Sequence, residues 1–372
     1  MKSEACCVLI PSLSPDHRLE EYADELVEAG FGGLIVVNDG SSAEYDPIFE
    51  RLAAKDKVTV LRHDINRGKG QALRTGFAHI LEHTDFQGVI TADSDGQHTM
   101  KDTLHLAQLL EADKPQLLLG SRDFSRHSTQ VPPKSRMGNR ITSVVFHLLY
   151  GPKLPDTQTG LRAFDRSLIP MMLKVSGDRF EYEMNQLMYC ARDRIPMVAV
   201  PIETIYHDEN KGTHFHPVRD AWRIYKLIFG NFFRFMSASV ICFLVDFILF
   251  HVLSQFVLPT FMPNPVALLG SDLRQLIATY GARVVSSVLN YKLNKRFVFS
   301  LKSCKGAPLR YFLLCVLAAT VSGLLVGILH RLMPQVSPTI FKIPVDLRIF
   351  LVNYRLQQSW VFRPDPTEKE SV

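Results

Sequence analysis

The sequence lacks the residue patterns that mark several large classes of protein. Its six cysteines form no CxxC pair, which argues against a structural zinc site and a disulfide framework. No GxxxxGK(S/T) loop occurs, and no GxGxxG opens the first predicted helix. A net charge of +5 over 372 residues is small for a nucleic-acid binder. These absences disfavour kinases, dehydrogenases and nucleic-acid-binding proteins.

Long apolar runs are rare before about residue 230 and frequent after it, at 232–258, 273–299, 311–333 and 340–362. Each run can cross a bilayer core, which needs about 20 residues. The first ten residues are too short and polar for a cleavable signal peptide. We therefore expect a cytoplasmic domain at 1–228, an all-α four-helix transmembrane domain at 229–365, and a C-terminal tail at 366–372.

The first domain alternates predicted strands with helical patterns, which indicates an α/β fold with a mostly parallel sheet and helices on both faces. The predicted strands are Ala5–Pro11, Gly33–Val37, Val58–Leu61, Val89–Thr91, Leu117–Leu119 and Pro201–Tyr206. Ligands of such sheets bind at the carboxyl ends of the strands. One crevice is therefore expected to gather Pro11, Asp39, Asn66, Asp93 and Asp95.

Two carboxylates, Asp93 and Asp95, follow the fourth predicted strand and precede Gly96, Gln97 and His98. Carboxylates at a strand end supply the hard oxygen ligands that Mg²⁺ or Mn²⁺ prefers, with a substrate diphosphate and water completing the shell. An acidic turn without an ion explains the same residues equally well.

Basic residues near the predicted strand ends are candidates for binding phosphate. Lys69, between two glycines, either reaches a phosphate or only follows a tight turn. Arg122 and Arg136 carry the guanidinium forks that suit phosphate oxygens, although surface solvation is the commoner role of an arginine.

Five motifs, in this order, resemble those of family 2 glycosyltransferases. The likeness is to dolichol-phosphate mannose synthases and bacterial polyprenyl-phosphate glycosyltransferases, over residues 5–228. The motifs are Asn38-Asp39-Gly40-Ser41, Asn66-Arg67-Gly68-Lys69-Gly70, Asp93-Ser94-Asp95-Gly96-Gln97-His98, Gly120-Ser121-Arg122 and Asp156-Thr157-Gln158-Thr159-Gly160-Leu161-Arg162.

This resemblance implies a GT-A fold and a role for each matching residue. The implied catalytic residues are Asp156, beside the reacting sugar, and Asp95. The implied metal ligands are Asp93, Asp95 and Gln97, and the nucleotide-sugar contacts are Pro11, Asp39, Asn66, Lys69, Asp93 and Arg122. Arg136 and Lys211 are expected to hold the acceptor phosphate. Residues 12–16 lack the acidic residue or Asn that many relatives carry there, which leaves that nucleotide contact open.

The membrane part contains an internal repeat, since Asn290-Tyr291-Lys292-Leu293 recurs as Asn353-Tyr354-Arg355-Leu356, an offset of 353 − 290 = 63. It resembles the GtrA-like family of four-span proteins, which is associated with lipid-linked sugar translocation or with anchoring glycosyltransferases. Residues 292–310 contain six basic side chains and no acidic one, so this loop and the catalytic domain are expected on the cytoplasmic side of the cell membrane. Asp246 and Arg283 form a hypothetical intramembrane pair.

The expected activity is a metal-dependent, inverting transfer of one sugar to a polyprenyl (undecaprenyl or dolichyl) phosphate. UDP-glucose, UDP-N-acetylglucosamine and GDP-mannose all fit as donors, and a homo-oligomer is compatible with the sequence. The alternative is a lipid-linked sugar flippase or anchor whose membrane domain carries the main activity. A processive polysaccharide synthase is disfavoured because the chain lacks a QxxRW motif.

Overall fold

The computed structural model describes residues 1–123, 133–203, 217–264, 267–268, 271–299 and 306–362. The chain divides into two compact units, Met1–Leu227 and Ile228–Val372.

The first unit is built on a seven-stranded sheet with the strand order β3-β2-β1-β4-β6-β5-β7. Every neighbouring pair is parallel except those of β6, which runs antiparallel to both β4 and β5. The strands are β1 (Cys6–Ser12), β2 (Gly33–Asn38), β3 (Val58–Arg62), β4 (Gly88–Thr91), β5 (Leu117–Ser121), β6 (Arg162–Asp165) and β7 (Met197–Pro201). The expectation of a mostly parallel sheet is confirmed.

Helices connect most of these strands, and their apolar sides pack on the sheet. They are α1 (Arg18–Glu28), α2 (Asp46–Ala53), α3 (Lys69–His83), α4 (Met100–Leu109), α5 (Pro133–Tyr150), α6 (Ile169–Lys174) and α7 (Glu181–Asp193). One core cluster joins alternate residues of β1, such as Val8 and Ile10, to Leu19 and Leu26 of α1 and Leu106 of α4. Burial of these side chains fixes the strand ends at which the polar motifs lie.

One strand is displaced from its predicted position and one was missed. The strand that pairs with Leu117–Ser121 is Met197–Pro201, so it ends where the sequence pattern predicts a start, and residues 204–206 of the predicted strand lie outside the described residues. β6 was not predicted, since a strand of four residues that begins with a charged arginine has no apolar pattern.

Pro11 was expected at the carboxyl end of its strand and lies one residue before that end, inside β1 and paired with Val37. The pairing of β1 with β4 ends at Leu9 and Thr91, and Ala92 donates its N–H to the Leu9 carbonyl at 3.1 Å. The Pro11 nitrogen, which carries no N–H, faces the side on which β4 has already ended. No hydrogen bond of the sheet is lost, because β4 offers no acceptor at this position.

The second unit is helical at each of the four predicted spans. Its helices are α8 (Pro217–Val252, beginning in the first unit), α9 (Leu258–Phe261), α10 (Leu273–Leu293), α11 (Ala307–Leu332) and α12 (Pro338–Leu356), and β8 (Ala267–Leu268) pairs with β9 (Ser271–Asp272). Two segments of the described chain, Ile228–Phe261 and Ala307–Leu332, are long and apolar enough to cross a membrane. Large apolar side chains such as Phe243 and Leu324 are exposed, which suits a lipid environment. The four-span prediction is thus supported fully for two helices.

The internal repeat appears in the structure as reciprocal contacts. Asn294 donates its amide N–H to Gln357 Oε1 at 2.9 Å, and the two positions are 357 − 294 = 63 residues apart. Phe299 stacks on Phe362 at a ring distance of 5.1 Å with the same offset, 362 − 299 = 63. Tyr291 contacts Phe362, and Tyr354 in turn contacts Phe299. Reciprocal contacts between equivalent residues indicate that an approximate twofold axis relates the two hairpins.

Polar side chains form pairs in both hairpins. Asp246 Oδ2 lies 3.4 Å from Arg283 Nη2, as hypothesised from the sequence. In the second hairpin, Lys342 Nζ lies 2.9 Å from Asp346 Oδ2, and Ser322 donates to Asp346 Oδ1 at 2.5 Å. These three side chains line a cleft of about 430 Å³ between α11 and α12.

Candidate active site

Asp39, directly after β2, is buried and holds the loop that leads into α3. Its carboxylate accepts hydrogen bonds from the backbone N–H groups of Arg67 at 2.9 Å and Gly68 at 2.8 Å. Its Oδ1 also lies 2.7 Å from Nδ1 of the buried His63. The structure therefore shows Asp39 as an anchor for residues 66–68, and its contact with a nucleotide stays a prediction.

Gly40 allows the same loop to approach closely. A Cβ at Gly40 would lie 2.4 Å from the Asn66 backbone nitrogen, and its φ of +75° disfavours a side chain in any case. Asn66 itself is exposed. The turn after β2 thus packs on the loop before α3, which places Asn66 at the carboxyl edge of the sheet.

Lys69, the first residue of α3, lies between two carboxylates from distant parts of the chain. Its Nζ is 2.6 Å from Asp93 Oδ1 and 2.9 Å from Glu183 Oε1 in α7. Burial lowers the pKa of the Lys69 ammonium, but the charges of Asp93 and Glu183 outweigh this and raise it. Lys69 is therefore a fixed cation of the site.

Asp93 occupies a narrow space beside the loop of residues 156–160. A Cβ at Gly160 would lie 2.3 Å from Asp93 Oδ2, so a larger residue there would displace the Asp93 carboxylate. His98 Nε2 lies 3.5 Å from the same oxygen. Burial raises the pKa of Asp93, but Lys69 and His98 together hold it below its usual range. Asp93 is thus an ion in a crowded pocket.

Asp95 and Gln97 complete the set of expected metal ligands. Asp95 Oδ1 accepts the Gln97 backbone N–H at 3.1 Å. Burial, and next the charge of Asp93, raise the pKa of Asp95 above its ordinary value. A cation bound by both carboxylates would relieve the repulsion that Asp93 exerts on ionised Asp95.

The donor set fits Mg²⁺ or Mn²⁺ because it contributes only carboxylate and amide oxygens. Within the described residues no group of three or more His, Cys, Asp or Glu is arranged to hold a metal. Further ligands would therefore come from water and a substrate diphosphate.

Two residues expected to act separately, Arg122 and Asp156, form a two-pronged ion pair. Arg122 Nε lies 2.7 Å from Asp156 Oδ2, and Arg122 Nη2 lies 3.1 Å from Oδ1. The Asp156 side chain is 0% exposed, and its Oδ1 also accepts the Gln158 N–H at 3.0 Å. Asp156 here fixes the guanidinium of Arg122, and its action on the reacting sugar stays a prediction.

Arg136 lies in the first turn of α5, and that helix is tied to the loop that carries Asp156. Asn139 Nδ2 donates to the Pro155 carbonyl at 2.7 Å, and Asn139 Oδ1 accepts the Thr157 N–H at 3.1 Å. Arg136 is half-buried there. The predicted phosphate contact Lys211 lies outside the described residues.

Comparison with known proteins gives two family matches that follow each other along the chain. The model of glycosyl transferase family 2 matches residues 17–170, and that of the GtrA/DPMS transmembrane domain matches residues 234–362. The chain thus combines a family 2 glycosyltransferase domain with a GtrA/DPMS transmembrane domain. The family 2 match contains most of the residues that meet around Lys69 and Asp93.

Relatives of this glycosyltransferase include two named for dolichyl phosphate. The UDP-N-acetylglucosamine–dolichyl-phosphate N-acetylglucosaminyltransferase of Methanococcus voltae is 26% identical over 58% of this chain and 92% of its own. The dolichyl-phosphate beta-glucosyltransferase of Saccharomyces cerevisiae is 27% identical over 45% of this chain and 55% of its own. Among solved structures, glucosyl-3-phosphoglycerate synthase of Mycobacterium tuberculosis has a TM-score of 0.44 and 16% identity, over 60% of this chain and 78% of that one.

The resemblance predicted from the motifs is confirmed, as are the GT-A fold and the enzyme class. Four residues that contact the site were not among the expected ones, namely His63, His98, Gly160 and Glu183. Gly160 and His98 belong to the motifs quoted above. Their presence in those motifs was the signal that could have identified them as residues of the site. For Glu183 the sequence leaves two interpretations open, a place facing the acceptor pocket or the ordinary role of an acidic residue in a first helical turn, where it favours the helix dipole.

Proposed function

We propose that this glycosyltransferase moves one sugar, with inversion, from a nucleotide-diphosphate sugar to a polyprenyl phosphate at the cytoplasmic face of the cell membrane. The observation that carries the proposal is the succession of a family 2 domain and a GtrA/DPMS transmembrane domain in one chain. The names of the Methanococcus and Saccharomyces relatives support the lipid acceptor. The basic loop at 292–310 supports the cytoplasmic side.

The acceptor needs little activation in this reaction. A phosphate monoester is mostly doubly ionised at neutral pH, because its second pKa is about 6. One of its oxygens attacks the anomeric carbon while the bond from that carbon to the diphosphate oxygen breaks, and the bonding electrons leave with the nucleotide diphosphate. No side chain has to remove a proton, so positioning and charge balance are the main tasks of the protein.

The residues of the site suit these tasks. Asp95 and Gln97, beside Asp93, would hold Mg²⁺ or Mn²⁺, which supplies Lewis-acid compensation of charge on the leaving diphosphate. Arg122, oriented by Asp156, would bind phosphate oxygens through its fixed guanidinium plane. Arg136 and Lys211 are the further proposed contacts to the acceptor phosphate.

The test is a transfer assay with the full chain in membranes or detergent. Polyprenyl phosphate is offered with labelled UDP-glucose, UDP-N-acetylglucosamine or GDP-mannose, with and without Mn²⁺. We expect labelled lipid from one of these donors, only in the presence of the metal. Absence of labelled lipid with all three would contradict the proposal, and equal transfer in a metal chelator would contradict the metal assignment.

A second candidate function, transport of the lipid-linked sugar, is favoured by the cleft between α11 and α12. Charged side chains on a membrane helix are costly unless they are paired or in a polar cavity, and Lys342 and Asp346 form an ion pair at the wall of this cleft. Proteoliposomes loaded with a preformed lipid-linked sugar would show translocation that depends on Asp346. Unchanged distribution of the lipid between the leaflets would exclude this activity.

A further inference from the structure

Glu183 contributes a side chain to the candidate site that the expected set of residues did not include. It lies in the first turn of α7, and its carboxylate is 11% exposed. Its contact in the site is the Lys69 ammonium, 2.9 Å away, and Lys69 in turn is 2.6 Å from Asp93. Glu183 therefore reaches the proposed metal ligand through one intermediate cation.

The backbone around this contact is fixed from both sides. A Cβ at Gly68 would lie 2.4 Å from the Asp178 carbonyl, and one at Gly70 would lie 2.5 Å from the Tyr182 Cβ. The Gln71 N–H also donates to the Asp178 carbonyl at 3.1 Å. The start of α3 is thus pressed against the start of α7, which leaves Lys69 little choice of position.

Glu183 is equally well held. The buried Arg162 donates from Nη1 to the Glu183 carbonyl at 2.7 Å and to Gln186 Oε1 at 2.7 Å. Arg162 begins β6, two residues after Gly160, the glycine against which Asp93 packs. The positions of Glu183 and Asp93 are therefore set by the same strand.

We propose that Glu183 is a positioning residue, which holds the Lys69 ammonium against Asp93 so that this carboxylate is oriented before a divalent cation and donor bind. If Asp93 were the one carboxylate beside Lys69, the ammonium would be held from one side and would be drawn towards an incoming diphosphate. With Glu183 present, two carboxylates share it. This inference rests on the proposed function, since it assigns Asp93 to the metal site.

Two possible roles of Lys69 predict opposite effects of Lys69→Met on Mn²⁺ binding. If Lys69 affected the cation only through its charge, then Lys69→Met would remove a repulsion and tighten Mn²⁺ binding. If Lys69 orients Asp93, the same substitution weakens Mn²⁺ binding. Loss of a group that orients a metal ligand commonly weakens metal binding by about tenfold or more.

The experiment is a double-mutant cycle on Mn²⁺ binding to the purified full chain, followed by the EPR signal of free Mn²⁺ without donor or acceptor. We expect Lys69→Met to weaken binding by about tenfold and Glu183→Gln by somewhat less. Because Glu183 acts through Lys69, Glu183→Gln should have no further effect when Lys69→Met is already present. Circular dichroism of each variant verifies that the fold is retained.

Glu181→Gln is the matched control, because it removes an equal charge from the same helical turn. Glu181 Oε1 accepts the backbone N–H groups of Asp178 and Arg179, at 3.2 Å and 3.3 Å. We expect its Mn²⁺ affinity to match that of the unsubstituted protein. Tighter binding by Lys69→Met, equal effects of Glu183→Gln in both backgrounds, or an equal loss in the Glu181 control would each overturn the proposal.

Failure of the proposed function has a different signature. An unsubstituted protein that binds Mn²⁺ and shows the expected cycle, but transfers no sugar, contradicts the proposed function and leaves the role of Glu183 intact. An unsubstituted protein that binds no Mn²⁺ overturns the role of Glu183 and leaves transfer to be decided by the donor assay.

Discussion

The two units of this chain use charged and polar residues in different ways. In the first unit, buried charges are joined between distant elements, as in Asp156 with Arg122 and Lys69 with Asp93 and Glu183. In the second, polar contacts such as Asn294 with Gln357 relate equivalent positions of a repeat. Buried charges in the first unit therefore assemble the candidate active site, whereas polar contacts in the second unit join the two halves of the repeat across its approximate twofold axis.

The strongest test of this distinction is removal of Asp95. Asp95→Ala should lower transfer by at least about a hundredfold, because a metal ligand is lost. Membrane insertion should be unaffected, since the residue belongs to the first unit. Rates are measured with labelled donor, and insertion is measured by carbonate extraction. Ser94→Ala is the neighbouring control, and transfer retained by Asp95→Ala would contradict the assignment.

Asp156→Asn should affect both transfer and stability. It leaves the buried end of Arg122 without its charged partner, and breaking a buried pair costs about 3–5 kcal/mol. We expect a lower unfolding temperature of the first unit, by differential scanning fluorimetry, together with reduced transfer. If transfer falls while the unfolding temperature is unchanged, Asp156 acts on the substrate and not as the anchor of Arg122.

Gly160→Ala tests the crowding of Asp93 without any change of charge. The added methyl group would lie 2.3 Å from Asp93 Oδ2, and overpacking of this kind costs about 1–3 kcal/mol. We expect weaker Mn²⁺ binding and a lower unfolding temperature. Gly138→Ala is the control, since no atom of the described residues lies within 4 Å of a Cβ at that helical glycine. Equal behaviour of the two variants would show that Gly160 is not required.

In the second unit, exchanging the two amide side chains of Asn294 and Gln357 should destabilise the protein less than removing one of them. Asn294→Leu leaves the buried Gln357 amide without its partner, at a cost of about 1–3 kcal/mol. The double exchange Asn294→Gln with Gln357→Asn keeps two amides at the axis and should cost less. Thermal stability in detergent measures both. Mn²⁺ binding should be unchanged throughout, and a change would break the separation between site and axis.

The smallest expected effect is a stabilisation by Asp95→Asn in the absence of metal. The pKa of Asp95 is higher in the folded state than in the unfolded state. Ionisation of Asp95 therefore destabilises the folded state once the pH exceeds the unfolded-state pKa. This cost is present at neutral pH and absent at pH below the unfolded pKa. Asn cannot ionise and keeps the oxygen that accepts the Gln97 N–H. The unfolding temperature at pH 7 should rise slightly, with no rise at pH 3.

Most of the fold followed from local patterns in the sequence. Apolar runs located β1 to β5 within one or two residues, because buried strands must be apolar and their ends are marked by polar turns. β6 was missed because its first residue is a buried arginine, held by Thr159 and Glu183 carbonyls that no local pattern reveals. Helical spans were located by hydropathy alone.

The site was predictable in its residues but not in their partners. The motifs named Lys69, Arg122 and Asp156, yet the sequence does not show that Lys69 lies between two carboxylates or that Asp156 holds Arg122. Such pairings depend on how distant segments meet in the fold. Short polar motifs indicate where a site lies, and tertiary contacts determine what each side chain is doing there.

The twofold relation between the hairpins has a consequence for their ancestry. If both helices of each repeat cross the bilayer, both copies enter it from the same side and the axis runs along the membrane normal. A single ancestral hairpin would have self-associated as a homodimer through the position now occupied by Asn294 and Gln357. The two halves are not identical, since Arg283 stands in one where Asp346 stands in the other, 346 − 283 = 63 residues later.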